Sequence, residues 1–208
     1  MRKITAISAG RGRGKKVKVF LDGKFAVSLE AEVAAGEGLW VGQELSSTQL
    51  EALVKSDQFK RCLNAASHYL DYRPRSEFEI RQRLRRRGFG GEAVEAVIAK
   101  LKEQKLVDDT DFARFWRENR DSFRPRSQWL TKLELKQKGV ADDIIDEVVS
   151  TIDDDDSAYR AASSKARSLS RSDYQDFRRR LGGYLQRRGF GYGVIDHTVR
   201  RLWQEGGD

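Results

Sequence analysis

The stretch Arg73-Pro-Arg-Ser-Glu-Phe-Glu-Ile-Arg-Gln-Arg-Leu-Arg-Arg-Arg-Gly-Phe89 decides the fold. Arg73-Pro74 ends whatever helix precedes it, because the residue before a proline is pushed out of the α region. Ser76 with Glu79 three residues on is a capping box, each side chain able to satisfy a free backbone N–H at a helix start. Ile80 and Leu84 then fall on one face, and Gly88 supplies the left-handed position that closes the helix. A second copy runs from Arg124-Pro-Arg-Ser127 to Gly139, and a degenerate third ends at Arg188-Gly189-Phe190. The three glycines are 51 and 50 residues apart. Self-similarity at a period of about 50 marks a repeat architecture in which units bury apolar faces partly against their neighbours.

Counting from each glycine tests the alignment. Position −4 is Leu84, Leu135 and Leu185, position +6 is Val94, Ile145 and Ile195, and position +13 is Leu101, Ile152 and Leu202. Each unit therefore reads as about three helices. In the first, an i, i+3/i+4 stripe through Leu50, Leu53, Val54, Phe59, Cys62, Leu63, Ala66 and Leu70 leads into the basic helix. In the second, Asp108-Asp109 offers a carboxylate to cap a helix bearing Phe112, Phe115 and Trp116. Leu130, Leu133 and Leu135 follow, then Ile144, Ile145, Val148 and Ile152. In the third, Ser172 with Gln175 forms another candidate capping box, and Tyr174, Phe177, Leu181 and Leu185 share a face. The aromatics Phe89, Trp116, Trp129, Phe190 and Trp203 sit at stripe or repeat positions and read mostly as core.

The first 30 residues have a different period. Val17, Val19 and Leu21 alternate, Asp22-Gly23 is a two-residue hairpin signal, and Phe25, Val27 and Leu29 continue the alternation. A small antiparallel sheet is expected there, with a short helix between Glu30 and Gly38. The basic loop Gly10–Lys16 lacks the form of a phosphate cradle. Only three residues separate Gly10 from Gly14, Lys16 stands where a hydroxyl is needed, and a strand follows. The expected division is an N-terminal β extension over 1–45, a helical linker with the first repeat over 46–108, and further repeats over 109–153 and 154–208.

Charged residues are 35% of the 208, against about 25% in an ordinary globular domain. Mean hydropathy is −0.69, which favours an elongated body with much surface. The formal charge of +8 and a pI near 9.6 point to an anionic partner, nucleic acid being the commonest. One cysteine, Cys62, excludes an internal disulfide and suits a reducing cytoplasm. No apolar run reaches the roughly 18 residues of a membrane span, so a soluble, unexported protein is expected.

Catalytic signals are missing. No nucleophile–base arrangement stands in a recognisable context, and His68 and His197, the only histidines, have no metal ligand at helical spacing. The run Asp153–Asp156 reads as a helix start or solvated linker rather than a metal site. No enzyme and no cofactor are expected. The basic helices are the better candidate: Arg73 to Gly88 holds seven arginines and only two acids, Glu77 and Glu79. Arg73, Arg75, Arg81, Arg85, Arg124, Arg126, Lys132, Lys136, Arg187 and Arg188 are the candidate binding residues. Arg81 and Arg85 are i, i+4 neighbours, as are Lys132 and Lys136 at the same repeat positions. Stacked units would align them into a cationic strip suited to a polyanion or an acidic protein groove.

In combination, Arg73-Pro-Arg-Ser-x-x-Glu79, Leu84-x3-Gly88-Phe89, Leu106-Val-Asp-Asp109-x-x-Phe112-Ala113, Lys138-Gly139-Val140 and Leu185-x-Arg-Arg-Gly189-Phe190 resemble the RecX family of regulatory proteins. The match covers about residues 60 to 205, and the hairpin with Phe20-Leu-Asp-Gly23 looks like an extension carried by some members. Thr131, where an aliphatic residue is usual, and the acidic Asp153–Asp156 run depart from the pattern. The resemblance implies a mainly α, elongated and curved array of three tandem three-helix repeats after a small antiparallel β element. It also implies a non-enzymatic modulator that binds the RecA filament on single-stranded DNA as a monomer. Such a modulator inhibits the filament's ATPase, strand-exchange and coprotease activities and binds DNA itself only weakly. Read without the resemblance, the residues also admit a free-standing basic helical-repeat DNA-binding protein, or a scaffold for an acidic protein.

Overall fold

The computed structural model describes residues 1–9, 16–170 and 172–206. The glycine-rich basic loop, apart from Lys16, lies outside the described residues. Strands β1 (Arg2–Ala9), β2 (Lys16–Leu21), β3 (Lys24–Glu30) and β4 (Glu44–Leu45) form one antiparallel sheet in the order β3-β2-β1-β4. Asp22 (φ 49°) and Gly23 (φ 79°) make the expected tight turn, both with the positive φ that a type I′ hairpin demands. Ile4, Val19, Leu21, Leu29 and Leu45 form the covered face, packed with Leu53 of helix α2 (Ser47–Leu70). Between β3 and β4 lies the short helix α1 (Ala31–Gly36). Buried Asp57 on α2 accepts a 2.5 Å hydrogen bond from the Glu30 amide, tying the end of β3 to the helix.

The described chain falls into two compact units. The first holds Met1–Arg73 and Ile80–Leu106, and the second holds Pro74–Glu79 and Val107–Asp208. Besides the sheet, α1 and α2, the first contains most of helix α3 (Glu77–Arg86) and helix α4 (Gly91–Glu103). Cys62, Ala66, Ile80, Leu84, Val94, Val97, Ile98 and Leu101 are among its buried helical residues and lie on stripes read from sequence. Burial raises the Cys62 thiol to about 11, as expected for a structural rather than reactive cysteine.

The second unit carries two further groups of three helices. These are α5 (Asp109–Phe123), α6 (Gln128–Gln137) and α7 (Asp142–Val149), then α8 (Asp154–Arg167), α9 (Tyr174–Gln186) and α10 (Tyr192–Gln204). One core gathers Phe112, Ala113, Leu135, Val140, Ile145, Val148 and Val149. The other gathers four alanines of α8 with Phe177, Leu181, Leu185, Phe190, Val199 and Leu202.

All three glycine stops close in the same way. The amide after each glycine bonds back to the −4 carbonyl: Phe89 to Leu84 (3.3 Å), Val140 to Leu135 (3.2 Å) and Phe190 to Leu185 (3.4 Å). The glycine amides bond to Arg85, Lys136 and Gln186, completing the Schellman pattern with φ of 83°, 74° and 84°.

Within the second unit the segment Pro74–Glu79 is gripped by the repeat after it. Ser76 Oγ accepts from the Glu79 amide (3.1 Å) and donates to the carbonyl of Lys138 (2.6 Å). The Glu77 amide donates to Asp109 Oδ1 at 2.8 Å, and Glu79 Oε1 accepts from Lys138 Nζ at 2.7 Å. The second joint repeats the arrangement. Ser127 Oγ accepts from Leu130 N (3.1 Å), the Ser127 amide donates to the Arg188 carbonyl (3.1 Å), and the Gln128 amide donates to Asp154 Oδ1 (2.8 Å). The paired aspartates divide the work. Asp108 and Asp153 cap their own helices, while Asp109 and Asp154 satisfy the helix start of the preceding repeat. The acidic run is thus a helix start. Phe78 lies over Gly139, and Ser127, Trp129 and Leu130 lie over Gly189.

Several local expectations need correction. Helix α9 is capped by Asp173, which accepts from the amides of Gln175 and Asp176; Ser172 instead pairs with Ser170. A carboxylate one residue nearer the helix outcompetes the serine for those amides. Trp129 is 65% exposed and Leu133 37% exposed, so neither is core. Trp129 still has a partner, because its ring lies over Gly189. Thr131 is buried in helix α6, and its hydroxyl has no hydrogen-bond partner among the described residues.

Two stability predictions follow from these positions. Alanine at Gly88 (φ 83°, with nothing within 4 Å of its would-be Cβ) meets only backbone strain, a loss of about 1–2 kcal/mol. At Gly139 the added Cβ would lie 2.5 Å from Phe78 Cβ, so Gly139→Ala costs roughly a further 1–3 kcal/mol, and thermal melts should rank the two variants accordingly. Thr131→Val removes an unmet hydroxyl at constant shape and should raise the melting midpoint, by about 1 kcal/mol of stability.

Candidate partner and nucleic-acid interface

Helix α3 in the first unit and helix α6 in the second present their basic pairs in one way. Arg81 donates to Glu95 on α4 through Nε (3.0 Å) and Nη2 (2.8 Å), and Arg85 Nη2 reaches the same carboxylate at 3.2 Å. Lys132 pairs with Asp146 and Lys136 with Asp142 (2.8 Å) on α7. These contacts hold the Glu95 carboxyl below its usual range, chiefly through the Arg81 hydrogen bond, and Asp142 likewise through Lys136. All four cations, proposed from sequence as binding residues, thus have an acid opposite, with Arg81 and Arg85 sharing Glu95. The signal was countable. Position +7 from each glycine is acidic in every repeat (Glu95, Asp146, Asp196), directly after the apolar +6 residue.

Other predicted residues gather around one carboxylate. Glu134 on α6 is only 12% exposed and accepts from Trp116 Nε1 (2.7 Å) and Arg120 Nε (2.8 Å), with Arg126 on its other oxygen. Arg126 is pulled below the usual guanidinium value by burial first, then by the positive charges of Arg120, Arg188 and Arg124. A guanidinium stays protonated at neutral pH under such a shift. Four arginines therefore share a neighbourhood containing Glu134. Arg188 stacks over the Tyr184 ring at 3.8 Å and Arg120 over Trp116 at 4.5 Å, which fixes both planes. Arg124 is exposed and makes no side-chain ion pair among the described residues, and the same is true of Arg187. Sequence reasoning named Arg124, Arg126 and Arg188 but missed Arg120 and Glu134, which lie on the helices flanking the Arg-Pro-Arg-Ser turn.

Arg73 and Arg75 are half-buried and engaged within the fold. In the first unit the exposed guanidiniums without an ion-pair partner among the described residues include Arg86 and Arg87 at the end of α3. Arg83 lies 5.5 Å over the Tyr69 ring. Among the described residues no group of three His, Cys, Asp or Glu is placed to hold a metal ion, and no helix is long and apolar enough to cross a membrane.

Three three-helix groups, each with a left-handed glycine closing its second helix, and arginine-rich surfaces define a tandem helical-repeat protein. Comparison with known proteins makes the class particular. Residues 62–101, 108–149 and 153–199 match the first, second and third three-helix domains of RecX. Over 203 residues the chain is 30% identical to regulatory protein RecX of Bacillus pumilus (strain SAFR-032), covering 96% of this chain and 77% of that one. It is 29% identical over 205 residues to regulatory protein RecX of Clostridium botulinum (strain Eklund 17B / Type B), covering 96% of both. A crystal structure of regulatory protein RecX superposes with a TM-score of 0.67 at 25% identity, over 95% of this chain and 98% of the other. The fold is also that of RecX from Lactobacillus salivarius, with a TM-score of 0.61 over 71% of this chain. The chain belongs to the RecX family of regulatory proteins.

Glu134 is the pivot of the arginine cluster. Replacing it by glutamine leaves half-buried Arg120 and Arg126 without their anion, and urea unfolding should report a loss of about 2–4 kcal/mol. Equal stability of Glu134→Gln and the parent would mean that solvent already serves those guanidiniums.

Proposed function

We propose that this protein is a non-enzymatic modulator that binds the RecA recombinase filament on single-stranded DNA and inhibits its ATPase, strand-exchange and coprotease activities. It works as a monomer in the cytoplasm and touches the DNA weakly through phosphate. The observation that carries the reading is the crowding of Arg120, Arg124 and Arg188 near Arg126, where Glu134 pairs with Arg120 and Arg126 alone, in a chain of a regulatory family. The excess positive charge there is relieved by an anion, and a backbone phosphate or an acidic protein surface supplies one repeatedly along a filament. Phosphate contacts release counterions, so binding weakens as salt rises. Exposed Arg124 and Arg187, with Arg86 and Arg87 in the first unit, are the groups free to make such contacts. The pairs Arg81/Arg85 and Lys132/Lys136 contribute more by fixing α4 and α7 than by reaching a partner.

Adding the protein should lower single-strand-dependent ATP hydrolysis by the cognate recombinase at sub-stoichiometric amounts. An unchanged rate with filament binding confirmed would remove the inhibitory role. Arg124→Glu should weaken filament binding and reduce the salt dependence by about one counterion, with the melting midpoint unchanged. A tight, sequence-selective complex with bare duplex DNA at physiological salt would instead favour a free-standing DNA-binding protein.

A further inference from the structure

The third repeat breaks the charge pattern of the other two. At position −7, where α3 has Arg81 and α6 has Lys132, helix α9 has Gly182; at −3, in place of Arg85 and Lys136, it has Gln186. The acid at +7 is kept as Asp196. In the first two repeats long basic side chains cross from one helix to that acid and cover the seam. In the third Arg178, about one turn earlier, reaches that acid instead, nothing crosses at Gly182 itself, and a groove of about 390 Å³ opens between α9 and α10, lined by Arg178, Arg179, Gly182, Gln186, Tyr192 and Ile195 among others. That volume lies at the lower end of the roughly 300–1,000 Å³ of ligand sites. A Cβ on Gly182 would meet only the Ile195 methyl, at 3.6 Å, so the floor is apolar and has room.

The rim is polar and cationic. Arg178 Nη2 donates to the Tyr192 hydroxyl at 2.9 Å and lies 3.4 Å from Asp196 Oδ1, so the guanidinium is held at the edge. Asp196 also serves Arg200 (2.8 Å), and Asp176 serves both Arg179 and Arg180. Arg178 and Arg179 line the groove while their acids Asp196 and Asp176 do not, so the rim presents positive charge. Tyr192 is 74% exposed, an aromatic wall standing in water. An apolar floor under a positive rim fits a large apolar side chain flanked by carboxylates.

We infer that the groove between α9 and α10 is a docking site for a short acidic segment of a protein partner, which inserts one bulky apolar side chain over Gly182 and sets its carboxylates against Arg178 and Arg179. The inference does not depend on the filament reading. It concerns peptide binding by this chain alone, so either reading can fail without the other.

The test is fluorescence anisotropy of the full chain with a labelled peptide, Asp-Glu-Phe-Glu-Asp. Micromolar binding is expected, weakened about tenfold or more when the peptide's Phe is replaced by Ala. Gly182→Leu occupies the floor of the groove and should weaken binding about tenfold or more while leaving the melting midpoint unchanged. Amide shifts in the labelled parent protein, on adding the peptide, should centre on Gly182, Gln186 and Ile195, which keeps the test open should the leucine variant misfold. Equal affinity for the Phe and Ala peptides, undiminished binding by folded Gly182→Leu, or shifts confined to other helices would overturn the proposal. So would shifts of these amides caused by an oligothymidylate but not by the peptide.

Discussion

The second unit depends on one backbone position used twice. A helix end leaves carbonyls without partners, and a left-handed glycine folds the next amides back onto them. At Gly139 and Gly189 the same residue, lacking a Cβ, also leaves space for the capping segment of the preceding repeat. The residue just before it, Lys138 or Arg188, then offers its own carbonyl to the serine seated there. The stop of one helix and the start of another therefore share a single geometry. The paired aspartates that open the same repeat complete it, one capping its own helix and the other the neighbour's. Much of the bonding at each joint is to backbone groups, so the joint demands Ser, Gly and Asp at fixed places and tolerates change elsewhere.

That economy explains how much was legible. Glycine stops, the serine caps at Ser76 and Ser127 and the apolar positions at −4 and +6 obey local rules, and each appears in the fold where a count from glycine puts it. The Asp22-Gly23 hairpin is equally local. The ion pairs are not. Arg81 meets Glu95 and Lys132 meets Asp146, each across 14 residues and two helices, at a distance set by packing rather than by any helical period. The arginine cluster was half legible for the same reason: Arg124 and Arg126 announce themselves beside a proline, whereas Glu134 looks like one more surface acid until α6 turns it inward. The cap at Asp173 was missed because Ser172 offers the same chemistry one residue earlier.

Cations that look alike in composition thus fall into two kinds. Some are braces: each has an acid opposite, and its removal loosens a helix pair. Others, such as Arg86, Arg87, Arg124 and Arg187, stand exposed without an acid among the described residues, and these can take a partner without giving up an ion pair. Net charge counts both equally. Exposed pairs add little stability individually, commonly below about 1 kcal/mol, but they remove their cations from competition for phosphate.

Cys62 has a practical bearing on how opening of the first unit can be followed. A thiol with a pKa near 11, sealed among apolar side chains, is ionised in roughly one molecule in ten thousand at neutral pH. As the chain's one cysteine, it stays chemically silent while the helices around it are closed. A soluble disulfide reagent would therefore label only molecules in which those helices have parted. The native protein carries its own clock for local unfolding, with no foreign probe needed.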